Sequence, residues 1–179
     1  GLEAETYALA KQSAEIARVA CDIHSTGDKP RFVLGSMGPG TKLITLGQTD
    51  WDTLKASYAE QVRGLVDGGT DAILIETCQD LLQVKCAINA VLQVLEEKGK
   101  TTDEVPIMVS VTIEQQGTML AGTSIEAAAH ALKRYPIASL GLNCATGPTE
   151  MAEHIAHLSK HWDRPISVYP NAGLPVLVE

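Results

Sequence analysis

The feature that most constrains this chain is a repeated order of two hydrophobic periods: a stretch with helical spacing, then a short run that is apolar on both faces. Leu9, Ile16, Ala17, Ala20 and Ile23 form a helical stripe closed by Gly27 and Pro30, and Arg31 to Gly35 follows as a strand. The spacing returns at Leu54, Tyr58, Val62, Leu65 and Val66, between Thr49-Asp50 and Gly68-Gly69, and Asp71 to Glu76 follows as a buried strand with a polar end. A third helix carries Leu81, Val84, Ile88, Val91, Leu92 and Leu95, and a polar linker from Lys98 to Glu104 leads into Pro106 to Thr112. Thr123 and Glu126 have capping-box spacing for a fourth helix, running to about Arg134 ahead of a strand from Ser139 to Cys144. Pro148 opens a fifth helix, where its missing N–H costs nothing, with Met151, Ile155 and Leu158 on the buried stripe; Pro165 to Asn171 reads as the fifth strand.

Strands apolar on both faces and separated by helices run parallel, because each crossover helix returns the chain to the same end of the sheet. The expected class is α/β. An open doubly wound sheet and a (β/α)8 TIM barrel both fit, and the even length of the repeats favours the barrel. A complete barrel takes roughly 250 residues, and this chain has 179. The expectation is therefore a partial barrel of about five strands and five helices. The chain opens on Gly1-Leu2 rather than Met and stops at Val176 to Glu179 without punctuation, so residues 1–179 are read as one fragment of a larger protein.

Charge narrows the partners. Fourteen Lys and Arg against twenty-two Asp and Glu give a net charge of -8, which repels phosphate backbones and anionic lipid surfaces. Nucleic acid and membrane are excluded as expected partners. No apolar run approaches the roughly 20 residues of a membrane-spanning helix, and no secretory signal pattern opens the chain, so a cytoplasmic location is expected. Cys21, Cys78, Cys86 and Cys144 include no C-x-x-C pair and are expected to be free thiols. Gly35 to Gly40 lacks both the dinucleotide and the Walker spacing.

In either parallel architecture, chemistry gathers at the C-terminal ends of the strands. The residues there are Ser36, Glu76 with Thr77 and Cys78, Ser110 with Thr112, Asn143 with Cys144, and Asn171. Each also has a structural reading: a tight turn at Ser36, a paired carboxylate at Glu76, backbone-bonded hydroxyls at Ser110 and Thr112, loop caps at the asparagines. Cys144 lies between a strand end and a helix N-terminus, where the helix dipole favours an anion; nucleophile, metal ligand and small buried hydrophobe all remain open. Cys21 and Cys86 fall inside helices and read as packing residues. His154, His157 and His161 share one helix, but without an H-E-x-x-H pattern they read as a solvated face. No strand end supplies a lysine for Schiff-base chemistry, which disfavours a barrel lyase or aldolase.

Five segments carry a more specific wording: Gly35-Ser36-Met37-Gly38-Pro39, Ile75-Glu76-Thr77, Pro106 to Thr112, Gly141 to Pro148, and Pro170-Asn171-Ala172-Gly173-Leu174-Pro175. In this order they resemble the homocysteine-binding, homocysteine S-methyltransferase module of cobalamin-dependent methionine synthases, across essentially the whole chain. The resemblance implies a barrel of which this chain holds the second helix through the seventh strand. It implies zinc held by three thiolates, of which Cys144 matches the first; the other two, an adjacent pair in a Gly-Gly-Cys-Cys motif, belong to a strand beyond this chain. It further implies that Glu76 receives the amino group of homocysteine, that Ser36 contributes to substrate binding, and that Asn171 neighbours the metal and fills its open position when substrate is absent.

The implied activity is zinc-dependent methyl transfer to the thiol of homocysteine, giving methionine, with methylcobalamin on a separate module recharged from methyltetrahydrofolate on another. Zinc suits the task because coordination keeps a thiol that otherwise titrates near pH 8.5 as thiolate at neutral pH. Cobalamin-independent transfer from S-methylmethionine or betaine is the alternative within the family. A further alternative is a catalytically inert piece, since five barrel strands leave open edges that invite self-association. The chain by itself is expected to be inactive.

Overall fold

The computed structural model describes residues 1–173. After a 3-10 turn at Glu3–Glu5, helices and strands alternate: α1 (Thr6–His24), β1 (Leu34–Met37), α2 (Trp51–Asp67), β2 (Ala72–Cys78), α3 (Leu81–Glu97), β3 (Ile107–Val111), α4 (Ile125–Leu132), β4 (Ile137–Asn143), α5 (Pro148–His161) and β5 (Ile166–Tyr169). The strands form one sheet in the order β1-β2-β3-β4-β5, every neighbouring pair parallel. A doubly wound sheet reverses its order partway, whereas sequential order is that of a barrel. The fold is a partial (β/α)8 barrel.

Alternation along the strands divides the sheet into two faces. Met37, Ile73, Ile75, Ile107, Val109, Leu140 and Leu142 point into a core shared with Val62 and Leu65 of α2, Val84, Ile88, Val91 and Leu95 of α3, Leu132 of α4, and Met151 and Leu158 of α5. Each such side chain, fully buried, stabilises the fold by about 1.5–3 kcal/mol. The alternate positions, among them Leu34, Ser36, Leu74, Glu76, Met108 and Ser110, form the inner face. The caps follow local chemistry: Asp50 accepts from Thr53 N–H at 2.8 Å and Asp80 from Leu82 N–H at 3.0 Å, each satisfying an orphan donor at a helix start. At the opposite end of the sheet, the Arg164 guanidinium lies 4.2 Å over the Trp162 ring and donates to the carbonyls of Lys133, Tyr135 and Ile137.

Three sequence expectations are corrected. On α1 the large apolar residues Leu9, Ile16 and Ile23 are exposed, at 53%, 67% and 71%, and the buried residues are Ala10 and Ala14. The cause is close approach to α2. A Cβ on Gly64 would meet the Tyr7 carbonyl and Ala10, and one on Gly68 would meet the Lys11 carbonyl and Ala14, so small residues on both helices set the contact and rotate the large ones outward. Strand β1 begins at Leu34 rather than Arg31, because its ladder pairs Leu34 to Met37 with Ala72 to Ile75; Ser36 therefore lies within the strand. Helix α4 is capped by Ser124, whose hydroxyl accepts from Ala127 N–H at 3.4 Å, and not by Thr123. The Thr123 carbonyl is taken by Met119 N–H at 2.8 Å, which places that residue in the preceding turn.

Candidate functional site

The site is built where β1, β2, β3 and β4 end. Ser36 points to the inner face and donates its hydroxyl to Glu76 Oε1 at 2.5 Å. Glu76 is half-buried on β2, whose pairing with β3 shifts between Ile75 and Cys78. At the shift, Thr77 takes a left-handed backbone with φ 60°. Strict alternation is thereby broken: Cys78 turns into the core at 0% exposure, and Thr77 faces across the strand ends toward β4. Cys78 was placed beside the site by sequence, and the irregular backbone removes it.

Asn143 closes β4 at 3% exposure, and its side chain is the centre of the network. Its Oδ1 accepts from Thr77 N–H at 3.1 Å and from the Ser110 hydroxyl at 2.6 Å. Its Nδ2 donates to Thr77 Oγ1 at 2.8 Å and to Cys144 Sγ at 3.2 Å. The Thr112 hydroxyl donates to the Asn143 carbonyl at 3.1 Å. Ser110 and Thr112 thus satisfy groups of a buried asparagine, as buried polar atoms generally require. Asn143 itself was legible only as a polar residue at a strand end.

Cys144 is exposed, and its backbone at φ 59° and that of Ala145 at φ 58° are left-handed. Its N–H donates to the Tyr169 carbonyl at 3.1 Å, which ties the loop to β5. Of the three readings that sequence left open, exposure removes the packed hydrophobe. By contrast, Cys78 and Cys86 are buried, and burial pushes their thiols up to about 12 and about 11, so both stay protonated near neutral pH. The structure therefore brings together Ser36, Glu76, Asn143 and Cys144. Asn171 sits in the adjoining loop, its N–H on the Thr146 carbonyl at 3.1 Å, and lines a cavity of about 170 Å³ with Thr146, Gly147 and Glu150. Among the described residues its side chain makes no hydrogen bond to Cys144. Leu174 and Pro175 of that motif lie outside the described residues.

A second group of residues holds the loop that follows Ser36. Asp80, 1% exposed, accepts from Thr45 N–H at 3.0 Å and from the Thr45 hydroxyl at 2.7 Å. The Tyr58 hydroxyl donates to the Pro39 carbonyl at 2.8 Å, and the buried Gln83 amide donates to the same carbonyl. The sequence periodicity singles out neither Asp80 nor its partner Thr45, thirty-five positions away.

The donor set toward a metal is one soft atom. Cys144 presents an exposed sulfur at the mouth, which suits a single thiolate ligand. Among the described residues, no three His, Cys, Asp or Glu side chains are arranged to hold an ion. The histidines lie in the helical layer, where His157 Nδ1 stands 3.8 Å from Glu126 Oε1 and its ring lies 4.5 Å from that of His161. Among the described residues, no helix is long and apolar enough to cross a membrane.

The profile of the family described as homocysteine S-methyltransferase matches residues 1–179. The methionine synthase of Mycobacterium leprae (strain TN) is 50% identical over 169 residues, covering 94% of this chain and 14% of that protein; that of Mycobacterium tuberculosis (strain ATCC 25618 / H37Rv) is 49% identical with the same coverage. The chain thus spans about one-seventh of the length of these relatives. Among solved structures, the homocysteine methyltransferase MmuM from Escherichia coli superposes in its apo form with a TM-score of 0.74 at 25% identity, over 96% of this chain and 62% of that one. Its metallated form gives 0.75 at 24% identity, over 96% and 60%.

Proposed function

Since the chain belongs to the homocysteine S-methyltransferase family, we propose that it is the homocysteine-binding part, second helix to seventh strand, of a longer zinc-dependent methyltransferase that makes methionine. The observation that carries this reading is the joining of a carboxylate and an exposed thiol at one mouth: Glu76 on β2 and Cys144 after β4, linked through Thr77 and Asn143. An ammonium group and a sulfur on one small substrate need those two partners.

Each residue has a task in this reading. Glu76 receives the substrate ammonium in a charge-assisted hydrogen bond. Ser36 holds one carboxylate oxygen and leaves the other free for the substrate. Cys144 is one thiolate ligand, the remaining two coming from beyond the described residues, and Asn171 stands beside it. Zinc, when bound, supplies a Lewis acid that keeps the substrate sulfur deprotonated at neutral pH. The methyl donor in this proposal is methylcobalamin on another module of the parent, recharged from a folate module. The five segments that resemble cobalamin-dependent methionine synthases, and the relatives at 50% and 49% identity that are methionine synthases, support that donor over S-methylmethionine or betaine. The proposal includes a cytoplasmic setting, in keeping with a negative charge that repels anionic lipid surfaces.

The test is Cys144→Ala in the full-length protein. Zinc stoichiometry and homocysteine methylation are both expected to be lost, and retained zinc with full turnover overturns the reading. Exposed Leu34, Val168 and Tyr169 on the outer strands, with Leu9, Ile16 and Ile23 on α1, support self-association of residues 1–179 in isolation. A monomer in sedimentation velocity argues against that part.

A further inference from the structure

We infer that Asn143 is a positioning residue that sets the separation between the Glu76 carboxylate and the Cys144 sulfur, and so selects a four-carbon amino-acid thiol over a shorter one. The inference rests on the roles given above to Glu76 and Cys144 and adds to them the element that measures the distance between the two.

The orientation of the amide is fixed by chemistry. The Thr77 backbone N–H can only donate, so the atom facing it at 3.1 Å is Oδ1. The Ser110 hydroxyl donates to the same oxygen at 2.6 Å. Nδ2 therefore points the other way, with one hydrogen on Thr77 Oγ1 at 2.8 Å and the other on Cys144 Sγ at 3.2 Å. Every hydrogen-bonding direction of this buried side chain is used, so it has no alternative rotamer that keeps its partners. A fully satisfied buried network specifies one arrangement.

The two residues that the amide grips both have unusual backbones. Thr77 and Cys144 are left-handed, at φ 60° and 59°, a region that side-chain-bearing residues rarely enter and β-branched ones least of all. Asn143 bonds to both the N–H and the hydroxyl of Thr77, which holds the turn directly after Glu76. Its remaining hydrogen holds the sulfur of Cys144. One rigid planar group thus joins the residue next to the amino-group partner to the sulfur partner itself, across 66 positions of sequence. A substrate that bridges those partners is sized by that group. An asparagine acting only as glue would lower stability and weaken every ligand alike.

The experiment uses the full-length zinc-loaded protein and compares L-homocysteine with L-cysteine, one methylene shorter, by isothermal titration calorimetry. Asn143→Asp keeps the shape and the accepting oxygen but replaces both N–H donors by a charged oxygen facing Thr77 Oγ1 and Cys144 Sγ. The preference for homocysteine is expected to fall about tenfold, the scale at which a site distinguishes one methylene, with the Kd for homocysteine rising and that for cysteine nearly unchanged. Equal weakening of both thiols, or an unchanged preference, overturns the inference. Thr77→Val removes one acceptor while retaining the branched shape; it is expected to shift the preference in the same direction by a smaller factor. Should Asn143→Asp fail to fold, an unchanged preference in Thr77→Val alone overturns the inference. Glu76→Gln and Cys144→Ala, measured in parallel, separate this from the underlying reading. If those two behave as wild type, the functional reading fails; if Glu76→Gln loses homocysteine binding and Cys144→Ala loses zinc while Asn143→Asp keeps its preference, only the positioning role fails.

Discussion

Ser36 and Glu76, forty positions apart on neighbouring strands, share a hydrogen bond of 2.5 Å that ties one carboxylate oxygen to β1. The hydroxyl occupies Oε1, and in the proposed reading Oε2 takes the substrate ammonium. Glu76→Gln is expected to weaken homocysteine binding by about 10- to 100-fold, from the roughly 1.5–3 kcal/mol of a hydrogen bond to a charged group. Zinc content should stay unchanged. Ser36→Ala should cost less, about tenfold, because it frees the carboxylate without removing it. Calorimetric titration of both variants checks the order; equal affinity for Glu76→Gln and wild type would leave that carboxylate a structural group.

The cysteines divide by exposure. With limiting maleimide at pH 8, Cys144 is expected to be labelled first, and Cys78 and Cys86 only after unfolding, as read by peptide mass spectrometry. Burial also raises the Cys78 thiol from 9.0 to about 12. A folded-state value above the unfolded one means that the native state holds its proton more tightly. The contribution is therefore complete below pH 9 and declines as pH rises from 9 toward 12. Cys78→Ala should flatten that alkaline decline in denaturant midpoints; an unchanged slope assigns it to other groups.

The α1–α2 contact depends on absent side chains. A Cβ on Gly64 would stand 2.8 Å from that of Ala10, and one on Gly68 would stand 2.6 Å from that of Ala14. Gly64→Ala or Gly68→Ala should destabilise by about 1–3 kcal/mol through overpacking, despite the gain of up to about 1 kcal/mol in helix propensity. Gly27→Ala, where a Cβ meets nothing within 4 Å, should change stability by less than about 0.5 kcal/mol. Urea midpoints distinguish these cases, and a neutral Gly68→Ala would show that α1 can move away.

The alternation of helix and strand was readable because each repeat buries a strand on its helical face, as Ile73 and Ile75 do against α2 and α3. The site residues were readable as types at strand ends. Their mutual geometry was not, because it arises from backbone departures that periodicity does not encode: the shift after Ile75, the left-handed Thr77, and the turn at Cys144. Helix α1 was misread for a related reason. Helical spacing marked Leu9, Ile16, Ala17, Ala20 and Ile23 as the apolar stripe, while the paired spacing of Ala10 with Ala14 and of Gly64 with Gly68 carried the signal for a tight crossing.

The left-handed positions 77, 144 and 145 imply a conflict between robustness and chemistry. Glycine would relax the main chain at each of them, and selection for heat tolerance alone would drift in that direction. At 145 such drift removes only a methyl group. At 77 and 144 it would erase the hydroxyl and the sulfur that the asparagine amide grips, so those two sites stay strained for as long as the mouth is used.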